Sequence, residues 1–416
     1  MGELVINGGN ELHGKYTVQG AKNSVLPLFA AAVLADGVVT ITNVPLIADV
    51  TNMLSILRAL GVYVEFFDHT VRINASILNS YCIPDNLAKE LRSSVFLLGS
   101  VLARKRKVKV AYPGGCDIGL RPIDIHIKAL RELNVFIEEE SGYIYCDAMH
   151  MNAGEVNLDY PSVGATENLI LASIYNEGCT IINNAASEPE IVDLQNFLNK
   201  MGAKVFGAGT SRIKIYGVNS ITGTEYRAMP DRISAGTIAI ATAICGGDVR
   251  IYGGAPSDMR PLLSKMAKTS CIVNQESDNI HIVANKRPVA VMRIVTQPHP
   301  GFPTDLQAPF MALQTVSEGT CVIRENVFEN RFRHVPELRK MGADIIIDSR
   351  TAIVKGVDRL NGATVFAQDL RGGAALVLAG LNAKGVTYVK DVYHIDRGYE
   401  NIEETLSNLG ADIKRI

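Results

Sequence analysis

The sequence predicts an α/β protein of two domains, each holding three copies of a unit made of two helices and several short strands. Three observations predict it: a helix-ending pattern that recurs six times, an apolar Ala-rich segment upstream of the copies, and short alternating stretches after them. The pattern is Leu, two mostly polar residues, Leu or Met, then usually Gly and a small or β-branched residue. Its copies begin at Leu57, Leu130, Leu198, Leu263, Leu338 and Leu406, so they recur every 65–75 residues. Solenoid repeats run about 20–50 residues, so units this long divide better into two globular bodies of three. A length of 416 residues agrees with two or three domains.

Each element has a physical reason. In Leu57-Arg58-Ala59-Leu60-Gly61 the apolar spacing marks the buried face of a helix. Gly just after it, or Asn134 in the second copy, supplies the left-handed residue that ends the helix. The fourth copy reads Met266-Ala267-Lys268 without that Gly, which leaves its turn open. Upstream, Ser24 to Ala35, Ala165 to Ile174, Ala235 to Cys245 and Ala374 to Leu381 are dense in Ala, Leu and Ile with few charges. Such helices are covered on nearly all sides. Downstream, Val62-Tyr63-Val64-Glu65-Phe66, Ala343 to Ile347 and Ile213-Lys214-Ile215 alternate as half-buried strands do. The polar stretch 217–229 parallels 9–20 in position, as if the chain crosses between domains twice. Arg104-Lys105-Arg106-Lys107 borders the strand Val108-Lys109-Val110 and reads as a solvated turn.

Composition excludes several classes. Hydrophobic residues are 47% and charged residues 20%, as in a folded globular protein. Lys plus Arg (41) nearly cancels Asp plus Glu (43), against the basic excess of a general nucleic-acid binder. The longest apolar run, Val25 to Ala35, contains Pro27 and is far short of the roughly 20 residues of a membrane span. No signal peptide is visible at the N-terminus. Seven scattered cysteines without CxxC spacing fit a reducing cytoplasm.

The chemistry concentrates in a few loops. Pro113-Gly114-Gly115-Cys116-Asp117-Ile118-Gly119-Leu120-Arg121-Pro122 hangs a thiol, a carboxylate and a guanidinium on a glycine-rich backbone. A thiol beside cationic groups can serve as nucleophile or proton donor; a plain free cysteine is the other reading. Gly20-Ala21-Lys22-Asn23-Ser24 leads into a buried segment, where Lys22 at a helix start suits a phosphate or carboxylate, or is an ordinary helix-start lysine. Arginines recur in Glu329-Asn330-Arg331-Phe332, Asp369-Leu370-Arg371-Gly372-Gly373 and Asp396-Arg397-Gly398-Tyr399. They could grip a small polyanion bidentately or form surface ion pairs. Asp305, in Gly301-Phe302-Pro303-Thr304-Asp305, could be a general base or the N-cap of the apolar helix that follows. His126 could contact a ligand or be structural. No metal-binding spacing, GxGxxG or P-loop appears, so neither metal nor cofactor is expected.

Taken together these segments resemble the enolpyruvyl transferases. The resemblance rests on Gly20-Ala21-Lys22-Asn23, the Cys116 loop through Arg121-Pro122-Ile123-Asp124-Ile125-His126, Tyr160-Pro161-Ser162-Val163-Gly164-Ala165-Thr166-Glu167, Gly301 to Asp305, Glu329 to Phe332, Asp369 to Arg371 and Asp396 to Tyr399. It implies a two-domain inside-out α/β barrel of six βαβαββ-type repeats, three per domain. Residues 22–229 would form the first domain and 1–21 plus 230–416 the second, with the active site in the cleft between them. The Cys loop points to the branch acting on a nucleotide sugar rather than the shikimate-pathway branch, which lacks it.

The resemblance further implies transfer of the enolpyruvyl group of phosphoenolpyruvate to the 3′-hydroxyl of UDP-N-acetylglucosamine, releasing phosphate, as the first committed step of peptidoglycan synthesis. By analogy Cys116 is the general acid and Asp305 the base, while Lys22, Arg121 and Arg397 hold the charges of phosphoenolpyruvate. Nucleotide-sugar positions fall on Asn23, Arg92, Arg121, Pro122, Ile123, Asp124, Ile125, Ser162, Val163, Gly164, Asp305 and Val327, with Arg331, Asp369 and Arg371 as further substrate contacts. Covalent inhibition by fosfomycin at Cys116 is implied too. A regulatory paralogue would have lost Lys22, Cys116, Asp305 or Arg397, and all four are present.

Overall fold

The computed structural model describes residues 2–90, 92–112 and 123–416, with backbone alone for 89, 90, 92 and 93. The unit from 155 to 216 shows the plan in its simplest form. In order come a strand (Glu155–Asn157), a helix (Val163–Ser173), a strand (Cys179–Asn183), a helix (Pro189–Lys200) and two strands (Lys204–Phe206 and Arg212–Tyr216). This is βαβαββ. Cys179–Asn183 pairs parallel with Glu155–Asn157 and antiparallel with Arg212–Tyr216, which pairs antiparallel with Lys204–Phe206.

Five of the six sheets follow that order, one parallel pair and then two antiparallel ones, and have four strands. The sixth has three, with a single parallel bridge from Cys82 to Lys109 where the fourth would lie. Two units borrow the parallel edge strand from far away in sequence. Glu225–Arg227 pairs with Val38–Thr42, and Leu12–Thr17 with Gly247–Tyr252. The two polar stretches are therefore crossing segments that each deliver a strand. At the crossing the Ala21 N–H donates to the Met229 carbonyl (2.8 Å) and the Asp231 N–H to the Gln19 carbonyl (2.8 Å).

The described residues form two compact bodies, one from those between Gly20 and Met229 and one from those up to Gln19 with Pro230–Ile416. Each has its own hydrophobic core. Helices fill the cores: every residue of Val163–Ser173 from Ala165 onward is buried, as is Arg232–Cys245 apart from its last residue. Strands cover them with one face in water, as the alternation along Arg212–Tyr216 shows. A fully buried Phe29 or Phe197 contributes about 1.5–3 kcal/mol of transfer free energy. Among the described residues no helix is long and apolar enough to cross a membrane, and the six described cysteines are free.

The repeated pattern ends its helices by one mechanism. In five copies the residue after the helix is left-handed: Gly61 (φ 87°), Asn134 (φ 62°), Gly202 (φ 108°), Gly342 (φ 93°) and Gly410 (φ 105°). The next N–H then reaches back to the first Leu of the pattern, as in Val62 to Leu57 (3.0 Å), Ala203 to Leu198 (3.0 Å) and Ala411 to Leu406 (3.0 Å). This is the Schellman closure, which satisfies carbonyls the helix end would orphan. In the fourth copy Ala267 stays right-handed and the left-handed residue is Ser270 (φ 71°), so the turn is longer. The basic run is less solvated than expected, with only Lys105 exposed, and its other members are half-buried and paired: Arg104 with Asp36 (2.9 Å), Arg106 with Asn176 (3.2 Å) and Lys107 with Asp147 (3.5 Å).

Candidate active site

Asp305 is the hub of the body formed with the C-terminal half. Neither the short turn Thr304–Leu306 nor the helix Gln307–Val316 has a side-chain cap, so Asp305 is not the N-cap its position would allow. Its Oδ1 accepts from Arg331 Nη2 (2.7 Å) and its Oδ2 from Arg371 Nη2 (3.0 Å). Both arginines are nearly inaccessible, Arg331 at 4% and Arg371 at 3%, so they are not surface pairs. Buried charges survive only with partners, and one carboxylate holding two guanidiniums leaves this corner rich in positive charge. Two charge-assisted bonds from guanidiniums on separate segments hold that carboxylate in one orientation.

The surroundings hold the pair in place. Asp369 Oδ1 caps the helix Leu370–Asn382 by accepting the N–H groups of Arg371 and Gly372, both at 3.0 Å. That capping fixes the backbone from which Arg371 projects. The Arg371 guanidinium lies over the Tyr399 ring, 5.3 Å from its centre, and the Tyr399 hydroxyl meets Thr237 Oγ1 at 2.8 Å. Burial works against the Arg371 charge, yet Asp305 and its neighbours outweigh it and hold the pKa above the ordinary guanidinium value. His334 is buried, and burial holds its pKa down to about 4, with Asp369 pulling it up and Arg331 pushing it down. It stays neutral at physiological pH. Arg397 is half-buried beside Asp396, whose carboxylate takes Arg415 bidentately (2.9 and 2.7 Å). Val327 stands in a turn after the strand Thr320–Arg324, its N–H donated to Glu325.

The other body carries the second group. Lys22 opens the helix Lys22–Ala32 after Ala21, which offers no side-chain cap. Its Nζ lies 2.6 Å from Asp49 Oδ2, the two side chains 10% and 1% exposed. Asn23 beside it is exposed, and Ser24 is buried and donates to Asp193. Ile123, Asp124 and Ile125 begin the helix Asp124–Glu132, while Ser162, Val163 and Gly164 begin Val163–Ser173 with Ser162 as its cap. These two starts are joined. The Gly99 N–H donates to Asn168 Oδ1 (2.7 Å), which orients the amide so that Nδ2 donates to His126 Nδ1 (3.0 Å) and to the Gly164 carbonyl (3.2 Å). His126 therefore accepts at Nδ1, and its ring packs on Gly164 so closely that a Cβ there would stand 3.1 Å from Cε1. His126 is a positioning residue for this turn.

Glu167, from the same motif, is fully buried, and neither carboxyl oxygen finds a hydrogen-bond partner among the described residues. Burial, then Glu190 and Glu188, push its pKa well up. Cys116, Arg121 and Pro122 lie outside the described residues, and Arg92 opens the turn Arg92–Val95 with its side chain outside them.

The family model of EPSP synthase (3-phosphoshikimate 1-carboxyvinyltransferase) matches residues 6–406. The chain belongs to the EPSP synthase family, the enolpyruvyl transferases. Within that family it is 49% identical to UDP-N-acetylglucosamine 1-carboxyvinyltransferase 2 of Caldanaerobacter subterraneus subsp. tengcongensis, over all of both chains. It is 48% identical to the UDP-N-acetylglucosamine 1-carboxyvinyltransferase of Trichlorobacter lovleyi, over 100% of this chain and 99% of that one. Among solved structures it resembles the enolpyruvyl transferase NikO from Streptomyces tendae, with TM-score 0.90, 25% identity and 100% and 98% of the two chains covered. An EPSP synthase from Acinetobacter baumannii shares the fold, at TM-score 0.77, 18% identity and full coverage of both.

Sequence reasoning about this enolpyruvyl transferase missed Asp49, Asp193 and Glu325. Signals existed for all three. Asp49 shares the buried helix face of Met53, Ile56 and Leu57. Asp193 sits one turn before Phe197 on the core side. Glu325 continues the inward alternation of Cys321 and Ile323. An acid at an apolar-face position is a buried acid, and buried acids have partners.

Proposed function

We propose that the chain transfers the enolpyruvyl group of phosphoenolpyruvate to the 3′-hydroxyl of UDP-N-acetylglucosamine, releasing phosphate, in the first committed step of peptidoglycan synthesis. The observation that carries this reading is 44–49% identity over essentially the full length to relatives named for that transfer. The matched family model bears the name of the shikimate reaction, so the acceptor is the point to test.

The chemistry assigns the residues their parts. A proton must reach the terminal carbon of the enol so that its neighbour becomes electrophilic; Cys116 is the proposed acid. The sugar oxygen then bonds to that neighbour as its proton passes to a base, proposed as Asp305. The tetrahedral adduct loses a proton from the new methyl group and expels phosphate, which restores the double bond. Throughout, phosphate and carboxylate charges need fixed cations in a poorly solvated setting, where preorganised donors count most. Lys22, Arg121 and Arg397 take the phosphoenolpyruvate charges, and Arg331, Asp369 and Arg371 complete the substrate contacts. Asn23, Arg92, Arg121 to Ile125, Ser162 to Gly164, Asp305 and Val327 take the nucleotide sugar.

Asp305→Asn tests the base. Turnover should fall on the order of 10²–10⁴-fold, the range of general base catalysis, with nucleotide-sugar affinity followed by calorimetry alongside. Turnover within threefold of the parent would remove Asp305 from that role.

A further inference from the structure

Glu325 is 1% exposed and the reading above gives it no part. Its Oε1 accepts the Thr296 hydroxyl (2.7 Å) and the backbone N–H groups of Val327 (2.8 Å) and Phe328 (3.1 Å). Its Oε2 accepts the Thr304 hydroxyl (3.0 Å). Three donors converge on one carboxyl oxygen and one on the other, so both oxygens are satisfied. The Thr296 hydroxyl, itself fully buried, also accepts the Asn326 N–H (2.9 Å). One carboxyl group thus ties three separate segments of chain, at Thr296, Thr304 and Val327–Phe328.

Two routes lead from this carboxylate to Asp305. Thr304 is its immediate neighbour and opens the turn Thr304–Leu306, so the Glu325–Thr304 bond sets where that turn begins. Phe328 is the second route. Its N–H is held by Glu325, and its ring centre lies 5.5 Å from the guanidinium of Arg331. Arg331 in turn holds Asp305 Oδ1 at 2.7 Å and reaches the Thr304 carbonyl at 3.5 Å.

We propose that Glu325 is a positioning residue for the transfer reaction: it locks the turn bearing Asp305 and the turn bearing Phe328 to one point, and so fixes the Asp305 carboxylate against its substrate. The inference rests on the role given to Asp305 above. A general base must stand about 2.6–3.2 Å from the proton it takes. A displacement of about 1 Å costs on the order of 10²-fold in rate.

The test compares Thr304→Val, Thr304→Ser and Glu325→Gln in the full chain. The readings are kcat and KM with phosphoenolpyruvate and UDP-N-acetylglucosamine, calorimetric Kd for the nucleotide sugar, and thermal unfolding. Thr304→Val removes only the hydroxyl that Glu325 Oε2 accepts. It should lower kcat about 10–100-fold with Kd within about threefold, and Thr304→Ser, which restores the hydroxyl, should recover kcat to within about threefold. Glu325→Gln replaces one acceptor by a donor and should lower kcat as Thr304→Val does. A Thr304→Val enzyme with parental kcat overturns the inference. So does a Ser variant as impaired as the Val variant, since a lost hydroxyl would then not be the cause. Should Thr304→Val fail to fold, a Glu325→Gln enzyme with parental kcat overturns it in turn. Parental turnover with an unaffected variant sinks this inference alone, whereas no turnover by the parent chain sinks the reading of the site on which it rests.

Discussion

Removing the Asp193 carboxylate should loosen the start of the Lys22 helix, and the structure sets the size of the effect. Asp193 is 8% exposed. Its Oδ2 accepts the Ser24 hydroxyl and the Met229 N–H (3.3 Å), and its Oδ1 accepts the Tyr226 hydroxyl (2.7 Å). Ser24 lies in the first turn of the helix that Lys22 opens, and Met229 accepts the Ala21 N–H at the crossing. Asp193→Ala takes the acceptor from three donors at about 1–2 kcal/mol each. Loss of the carboxylate's own desolvation penalty places the total near the lower end, about 3 kcal/mol.

The pH dependence separates the charge from the hydrogen bonds. Burial raises the Asp193 pKa, the bonds from Ser24, Tyr226 and Met229 pull it down, and Glu190 adds to the rise, for a net value above normal. The folded state therefore holds its proton where the unfolded chain has lost it. Stability from this group is full below the unfolded carboxyl value, about 3.9, and is lost as pH rises through the folded value. Asp193→Asn does not titrate, so its deficit against the parent should narrow between pH 4 and pH 8. Hydrogen exchange of the Ser24 and Val25 amides reads the local opening free energy and needs no two-state assumption. An Asp193→Ala change under about 1 kcal/mol, or an Asn deficit that widens with pH, would refute the reasoning.

Three further outcomes are expected. Gly202→Ala should cost about 1–2 kcal/mol in urea unfolding from backbone strain alone, because its φ is 108° and an added Cβ meets nothing within 4 Å; Gly154→Ala, at an unstrained loop position, serves as the near-neutral control. His334 should show no imidazole titration by NMR between pH 5.5 and 8; with its pKa held at about 4 the unfolded chain binds the extra proton, so its contribution is present above pH 6.5 and about 3 kcal/mol is lost as pH falls to 4. Fosfomycin should leave one covalent adduct on the Cys116 peptide by mass spectrometry, and Cys116→Ala should leave none; an adduct elsewhere would contradict the assignment of the acid.

The repeat was legible because its signal is local. A left-handed residue after an apolar helix end has few substitutes, so Gly61, Gly202, Gly342 and Gly410 stand out in the sequence, and even the missing Gly of the fourth copy marked the turn that differs. The borrowed edge strands were only half legible: position along the chain suggested that 9–20 and 217–229 correspond, but pairing between Leu12–Thr17 and Gly247–Tyr252 is a long-range choice with no local trace. Asp305 shows the limit at the site. Its position before an apolar helix favours a cap, and only the meeting of Arg331 and Arg371 in space makes it a hub. Asp369 went the other way, with one oxygen engaged as a cap. Lys22 was singled out from its setting as a helix-start lysine, but its partner Asp49 belongs to another helix.

The acceptor decides the account. Phosphate release from phosphoenolpyruvate should be followed with UDP-N-acetylglucosamine and with shikimate 3-phosphate in parallel, on the parent chain and on Cys116→Ala. Release with the nucleotide sugar alone, lost or sharply reduced in the variant, is the predicted result. Release with shikimate 3-phosphate alone would contradict it.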